Sequence, residues 1–245
     1  MLWLNQLHAM SRLTERHRED ELMDEPSLDV SEHARALAGV RRVNWWSRSA
    51  AIVCPALRPL AAKCSTERPL RLLDVACGGG DVTTAIARWS RLAGLPVRVS
   101  GCDISLTALE IARRRADSFG ESIEFFQHDV LNQPLPAEFD VVMCSLFLHH
   151  LNEADAVRVL CSMAEATSHA VLINDLVRSR SGYLLAMLGT RLLSRSRIVH
   201  VDGPLSVAGA FTPHEALHLS EQAGLSGATI SRHWPQRFLL TWRRS

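Results

Sequence analysis

Almost no net charge separates the basic from the acidic residues of this sequence. Lys and Arg number 27 against 26 Asp and Glu, a net charge of +1 over 245 residues. That balance gives no bulk attraction to nucleic acid or to an anionic membrane. The short basic run at Arg113, Arg114 and Arg115 reads as the solvated face of a helix. Long apolar runs are missing too: none approaches the roughly 20 residues of a membrane span. The opening stretch MLWLNQLHAMSRLTERHRED is broken by His8, Arg12 and Arg16 and lacks the unbroken apolar centre of a secretion signal. The six cysteines (54, 64, 77, 102, 144 and 161) form no C-x-x-C pair, and no histidine pair completes a zinc spacing. No disulfide framework is expected, and the expected compartment is a reducing cytoplasm. There is no internal repeat and no low-complexity segment. What remains is 47% hydrophobic and 22% charged residues, the balance of a globular chain with a real core. The length suits one large α/β domain or a domain with an appendage.

Two grammars follow one another along the chain. Residues 1–65 read as helices: Leu4, Leu7, Met10 and Leu13 recur at helical spacing, Pro26 interrupts, and Asp29 with Glu32 begins a helix toward Trp46. Another helix is expected through the fifties. From residue 70, strands and helices alternate. LRLLDVA, VRVSGCDI, IEFFQHDV, FDVVMCSLF and HAVLINDL read as strands, with helices opening near Asp81, Ser105 and Glu153 between them. This rhythm predicts an α/β, Rossmann-like, doubly wound and mostly parallel sheet. ATISRHW and RFLLTWRR, split by Pro235, read as an antiparallel C-terminal hairpin that brings the sheet to seven strands. Residues 66–245 thus form the main domain, 1–65 a helical lid, and about 178–209 a helical insert ending in a Gly-Pro turn. Thr212, Pro213 and Glu215 supply a cap, a first-turn proline and a capping-box acid for one more helix.

The stretch LLDVACGGGD, residues 72–81, carries the first functional signal. Glycines after a strand let the backbone bend tightly and approach a ligand. A P-loop needs a lysine that is absent, and a dinucleotide fingerprint needs glycine where Thr83 stands. Asp81 sits where a pyrophosphate would need bare amides, so its carboxylate is expected to cap them and repel phosphate. A cationic cofactor without phosphate suffers no such repulsion.

The stretch resembles motif I of the class I S-adenosylmethionine-dependent methyltransferases, with Asp74 as its acid, Ala76 in place of the first glycine, and Gly78 and Gly80 as the others. Later segments fall in the family's order. The resemblance implies that Asp103 of GCDIS takes the ribose hydroxyls, with Ile104 on the adenine. It implies that Asp129 of QHDVL reaches the adenine amino group with Val130 over the ring, and that Cys144 and Ser145 lie beside the methionyl part. Cys77 and Asp81 complete the expected cofactor set. Taken singly, Asp74 also fits a strand-end turn acid and Asp129 a cap. The implied cofactor is S-adenosyl-L-methionine, with S-adenosyl-L-homocysteine as product.

For the acceptor, CSLFLHH replaces the Asn/Asp-Pro-Pro-aromatic signature of the family's base methyltransferases, which speaks against nucleic acid. LFLHHL and FTPHEALHLSEQAGL resemble the ubiquinone and menaquinone biosynthesis methyltransferases and their small-molecule relatives. ELMDEP, NWWS and LINDL suggest a bacterial subgroup working on phenolic, quinone-like or polyketide substrates of secondary metabolism. The expected reaction is methyl transfer to a hydroxyl of such a molecule. C-methylation of a quinone precursor and a non-catalytic cofactor-binding protein are the alternatives. A phenol benefits from a base, and His149 or His150 is the candidate, with Asp175 behind it. Backbone hydrogen bonding by those histidines is the competing reading. Trp45, Trp46, Tyr183, Met187 and His200 are expected around the acceptor. Strand four lacks the acid of a magnesium-dependent catechol-type site, so no metal is expected. The expected state is a monomer or homodimer.

Overall fold

The computed structural model describes residues 13–24 and 28–244. Leu4, Leu7 and Met10 of the expected first helix, and Pro26, lie outside them. A seven-stranded sheet runs in the order β3-β2-β1-β4-β5-β7-β6. Its strands are β1 (Leu70–Val75), β2 (Val97–Asp103), β3 (Glu124–Gln127), β4 (Phe139–Ser145), β5 (Thr167–Leu176), β6 (Thr229–His233) and β7 (Arg237–Arg243). β1 to β5 are parallel, while β7 joins β5 antiparallel and β6 joins β7 antiparallel. The helices are α1 (Val30–Trp46), α2 (Ser49–Ala61), α3 (Asp81–Leu92), α4 (Leu106–Ser118), α5 (Glu153–Ala166), α6 (Arg180–Leu193), α7 (Arg197–Gly209) and α8 (Pro213–Gln222).

Side-chain chemistry at the helix starts explains these boundaries. The side chains of Asp29, Ser105 and Asn152 accept hydrogen bonds from first-turn amides of α1, α4 and α5. At Thr212 the reciprocal capping box with Glu215 is complete. Both sheet faces are covered, as strands buried on two sides require. Val142, Cys144, Val171 and Ile173 pack on one face under α5 and α8. Leu72, Val141, Met143 and Leu172 pack on the other under α2 and α3.

The boundary expected at residue 65 does not coincide with a change of layer. α2 buries Ile52, Val53, Leu57 and Ala61 directly against the sheet, so it belongs to the core. Only α1, with the segment before it, stays over the strand ends beside α6 and α7. The expected Gly-Pro turn is also corrected: Gly203 and Pro204 lie inside α7. A Cβ on Gly203 would sit 2.5 Å from Thr190 Cγ2, so this glycine serves the close approach of α7 to α6 rather than a turn. His200 and Asp202 are therefore helical residues.

Candidate functional site

The sheet order reverses between β1 and β4, the place where α/β sheets open a crevice at the carboxyl ends of their strands. A cavity of about 860 Å³ lies there, lined by the ends of β1, β2 and β4 and by the inner sides of α1, α6 and α7. Its size is that of pockets enclosing small ligands.

The glycine turn forms one wall. Ala76, Gly78 and Gly80 all take positive φ, at 53°, 53° and 66°, which explains why glycine suits this loop. A Cβ on Gly78 would meet nothing within 4 Å, leaving that backbone open to a ligand, whereas one on Gly80 would strike Ala112 Cβ at 2.7 Å. Gly80 thus acts by packing α4 and does not line the cavity. Asp103 braces the turn: Gly78 N–H donates to its Oδ2 at 2.8 Å, and Ser105 N–H to its Oδ1 at 2.9 Å. Ile104, Asp129 and Val130 line the adjoining wall with Cys77. Asp129 also holds its own turn, accepting from Leu131 N–H at 3.0 Å and Asn132 Nδ2 at 2.7 Å. The Asn132 bond, with two backbone amides, outweighs burial and holds the Asp129 carboxyl below its ordinary value.

Asp74 is 1% exposed at the end of β1. Thr83 Oγ1 donates to its Oδ2 at 2.6 Å, while Oδ1 is buried without a partner. Burial, aided by the charges of Asp81 and Asp103, pushes its carboxyl up to about 7 despite the Thr83 bond. Asp81 corrects an expectation. It begins α3, but the residue capping that helix is Gly80, with no side-chain bond to the amides. The Asp81 carboxylate instead accepts from Asn44 Nδ2 of α1 at 2.8 Å. Its negative charge still faces the cavity. Cys144 is corrected too: strand alternation turns its wholly buried side chain into the core, and only Ser145 reaches the cavity.

Beyond Ser145, a short 3-10 turn (Leu148–His150) carries both histidines. His149 Nδ1 lies 2.6 Å from Asp175 Oδ1, and His149 N–H donates to Asp175 Oδ2 at 3.0 Å. His149 and Asp175 are 4% and 1% exposed. Burial alone would raise the Asp175 carboxyl, but the His149 ring and the backbone donors hold it below its ordinary value. A third group was not foreseen. Glu21 Oε1 stands 3.7 Å from His149 Nε2, and Glu21 Oε2 stands 3.9 Å from His150 Nε2. The chain segment bringing Glu21 is pinned by Asp202, which accepts from Leu22 N–H and Met23 N–H at 3.0 Å each. Arg16 secures it further through the carbonyls of Gly209, His149 and Leu151. Ligand-type atoms of Glu21, His149 and His150 lie within 4.8 Å of one another.

The acceptor wall differs from expectation in four of its five residues. Trp45 is 81% exposed and points to solvent. Tyr183 is buried against Leu13, Val207 and Ala208, and Met187 is buried as well. His200 bonds the Ser194 carbonyl at 2.8 Å. Only Trp46 stays on the cavity wall, edge-on to Trp234 at 6.1 Å. The apolar lining comes instead from Leu37, Val40, Leu185, Ala186 and Leu193, with Phe147 nearer the histidines. Sequence reasoning also missed Asn44 and Arg237. Glu21 and Asn44 lie within ELMDEP and NWWS, so the signal was present without a role attached.

This doubly wound sheet, with a glycine turn at the switch point and carboxylates at successive strand ends, has the architecture of Rossmann-like methyltransferases. Residues 72–169 match a family model described as a methyltransferase domain. The ubiquinone biosynthesis O-methyltransferase of Thiobacillus denitrificans is 30% identical over 169 residues, 68% of this chain and 66% of the relative. That of Pseudomonas putida is 26% identical over 220 residues, 85% and 91% of the two chains. The chain spans just under two thirds of the length of the first relative and about half of others from Yersinia. Among solved structures, an O-methyltransferase described as putative from Nostoc punctiforme covers 98% of this chain and is itself covered to 68%, with TM-score 0.66 and 16% identity. Magnesium protoporphyrin IX methyltransferase from Synechocystis, solved with S-adenosylhomocysteine, covers 98% and is covered to 95%, with TM-score 0.57 and 16% identity. These structures share the fold. Residues 72–169 are thus a methyltransferase domain, and the chain as a whole is similar to the class I S-adenosylmethionine-dependent methyltransferases.

The cavity fits that cofactor. Gly78 offers a backbone with no Cβ contact, and Asp74, whose Oδ1 is buried without a partner, is one of the lining residues. Among the described residues, no helix is long and apolar enough to cross a membrane.

Proposed function

We propose that this enzyme methylates a hydroxyl of a hydrophobic phenolic or polyketide-like small molecule. The observation that carries the reading is the buried His149–Asp175 pair beside the apolar half of the cavity. With Nδ1–H donating to Asp175, Nε2 is the ring nitrogen that receives the proton, beside Glu21 Oε1 at 3.7 Å. Bound S-adenosylmethionine supplies an activated methyl group on sulfur. His149 then takes the hydroxyl proton at Nε2, while the apolar walls orient the ring and exclude water. The relatives named as ubiquinone biosynthesis O-methyltransferases support oxygen as the acceptor atom. The cofactor roles follow the sequence reading: Asp103 for the ribose, Asp129 for the adenine amino group, Ile104 and Val130 against the ring. α1 and the 178–209 helices act as the lid. A cytoplasmic location belongs to the same reading, supported by six free cysteines.

Incubation with alkylated phenols and S-adenosylmethionine, with product structures read by NMR, tests it. A methyl on oxygen supports the reading, and one on a ring carbon selects C-methylation. His149→Ala should lower turnover about 10²–10⁴-fold at saturating cofactor, with S-adenosylhomocysteine affinity unchanged. His150→Ala should cost far less. The Glu21, His149 and His150 cluster favours a second reading, in which a divalent cation polarises the acceptor oxygen. Dialysis against a chelator separates the two, because only the cation-dependent reaction stops and recovers on adding metal.

A further inference from the structure

Arg237 has no part in the reaction derived above, yet it is the largest fully buried side chain among the described residues. It opens β7, opposite Leu176 of β5, and is one of the residues lining the cavity. Nη2 donates to Ser47 Oγ at 2.9 Å and to Asn44 Oδ1 at 3.5 Å. Nε and Nη1 are buried with no partner, and Arg237 forms no ion pair among the described residues. Burial drags this cation down to about 10, and the more distant charges of Asp175 and Asp81 only partly offset that. A buried guanidinium with idle donors is costly unless an anion completes it.

We infer that Arg237, through its idle Nε and Nη1 donors, binds the amino-acid carboxylate of the cofactor. The cofactor class is given by the family, and this carboxylate is its anionic group. Position agrees. Asn44, which Arg237 touches, also bonds Asp81 directly after the glycine turn. The wall therefore presents a cation and an anion bridged by one amide, the complement of a zwitterionic amino-acid end. An Arg fork with two free N–H groups suits a carboxylate's paired oxygens. The Ser47 and Asn44 contacts, with Asn44 also accepting from Ser49 Oγ at 3.3 Å, hold that fork before the ligand arrives.

Calorimetric titration with S-adenosylmethionine and its decarboxylated form, which differ by this carboxylate alone, tests the assignment without any turnover. Wild-type protein should prefer the carboxylated form by about 10- to 100-fold, the range for a charge-assisted hydrogen bond. Arg237→Gln should abolish the preference and Arg237→Lys keep part of it. Both variants should bind 5′-methylthioadenosine, which lacks the amino-acid end, as wild type does. No preference in wild type overturns the inference. So does an Arg237→Gln or Arg237→Lys protein that keeps the whole preference, or that weakens all three ligands alike.

Discussion

At the scale of single residues, the glycine turn shows where the chain departs from the least strained choice. Ala76 sits at φ 53°, a conformation that costs an L-residue with a Cβ roughly 1–2 kcal/mol. Glycine adopts it freely but loses more entropy on folding, by about 0.5–1 kcal/mol. The strain exceeds that loss, so Ala76→Gly should stabilise the protein by up to about 1 kcal/mol. Urea titration would show a raised midpoint at unchanged slope; a lowered midpoint would mean that the Ala76 methyl packs usefully. The acids were legible at this scale because each falls at or just beyond the carboxyl end of a strand, the edge at which such a sheet opens its crevice. Arg237 was not. An arginine opening RFLLTWRR looks like a solvated strand end, and only the arrival of α1 over that end buries it.

At the scale of elements, the strands and the capped helices were readable because their signals are local. Asp29, Ser105, Asn152 and Thr212 each bond amides within three residues. The facing of α6 was not readable. SGYLLAMLGTRLL is apolar on nearly every side, so the sequence cannot say which side is core and which is cavity. Tyr183 and Met187 turned out to be core, while Leu185, Ala186, Gly189 and Leu193 face the ligand space. A 100° rotation separates the two sets, and the packing of α7 decides it. Gly203 is the contact that sets this rotation. Gly203→Ala would drive a methyl into the β-branched Thr190 and should destabilise the protein by about 1–3 kcal/mol. Thr190→Ala in the same chain should restore most of that loss. Thermal unfolding of the single and double variants measures the coupling, and additive effects would move the constraint elsewhere.

At the scale of the whole molecule, Asp74 couples stability, pH and cofactor. Its carboxyl stands at about 7 in the folded protein against an ordinary 3.8. Between those values the folded chain holds a proton that the unfolded chain has lost. The contribution is therefore full below about pH 4, fades as pH rises through the interval and is gone above about pH 7. The size is on the order of 4 kcal/mol, from about three pH units at 1.4 kcal/mol each. Asp74→Asn removes the titration, so chemical denaturation should find the variant more stable than wild type at pH 8 and less pH-dependent between 5 and 8. The cationic cofactor favours the ionised carboxylate, and its binding should expel this proton. Affinity for S-adenosylmethionine should then fall toward tenfold per pH unit below about 7, while Asp74→Asn binds more weakly at pH 8 and evenly across the range. Calorimetry in buffers of different ionisation enthalpy counts the released proton directly. A wild-type affinity that stays level from pH 5 to 8 would remove Asp74 from the cofactor's electrostatics and leave its burial to serve the Thr83 bond alone.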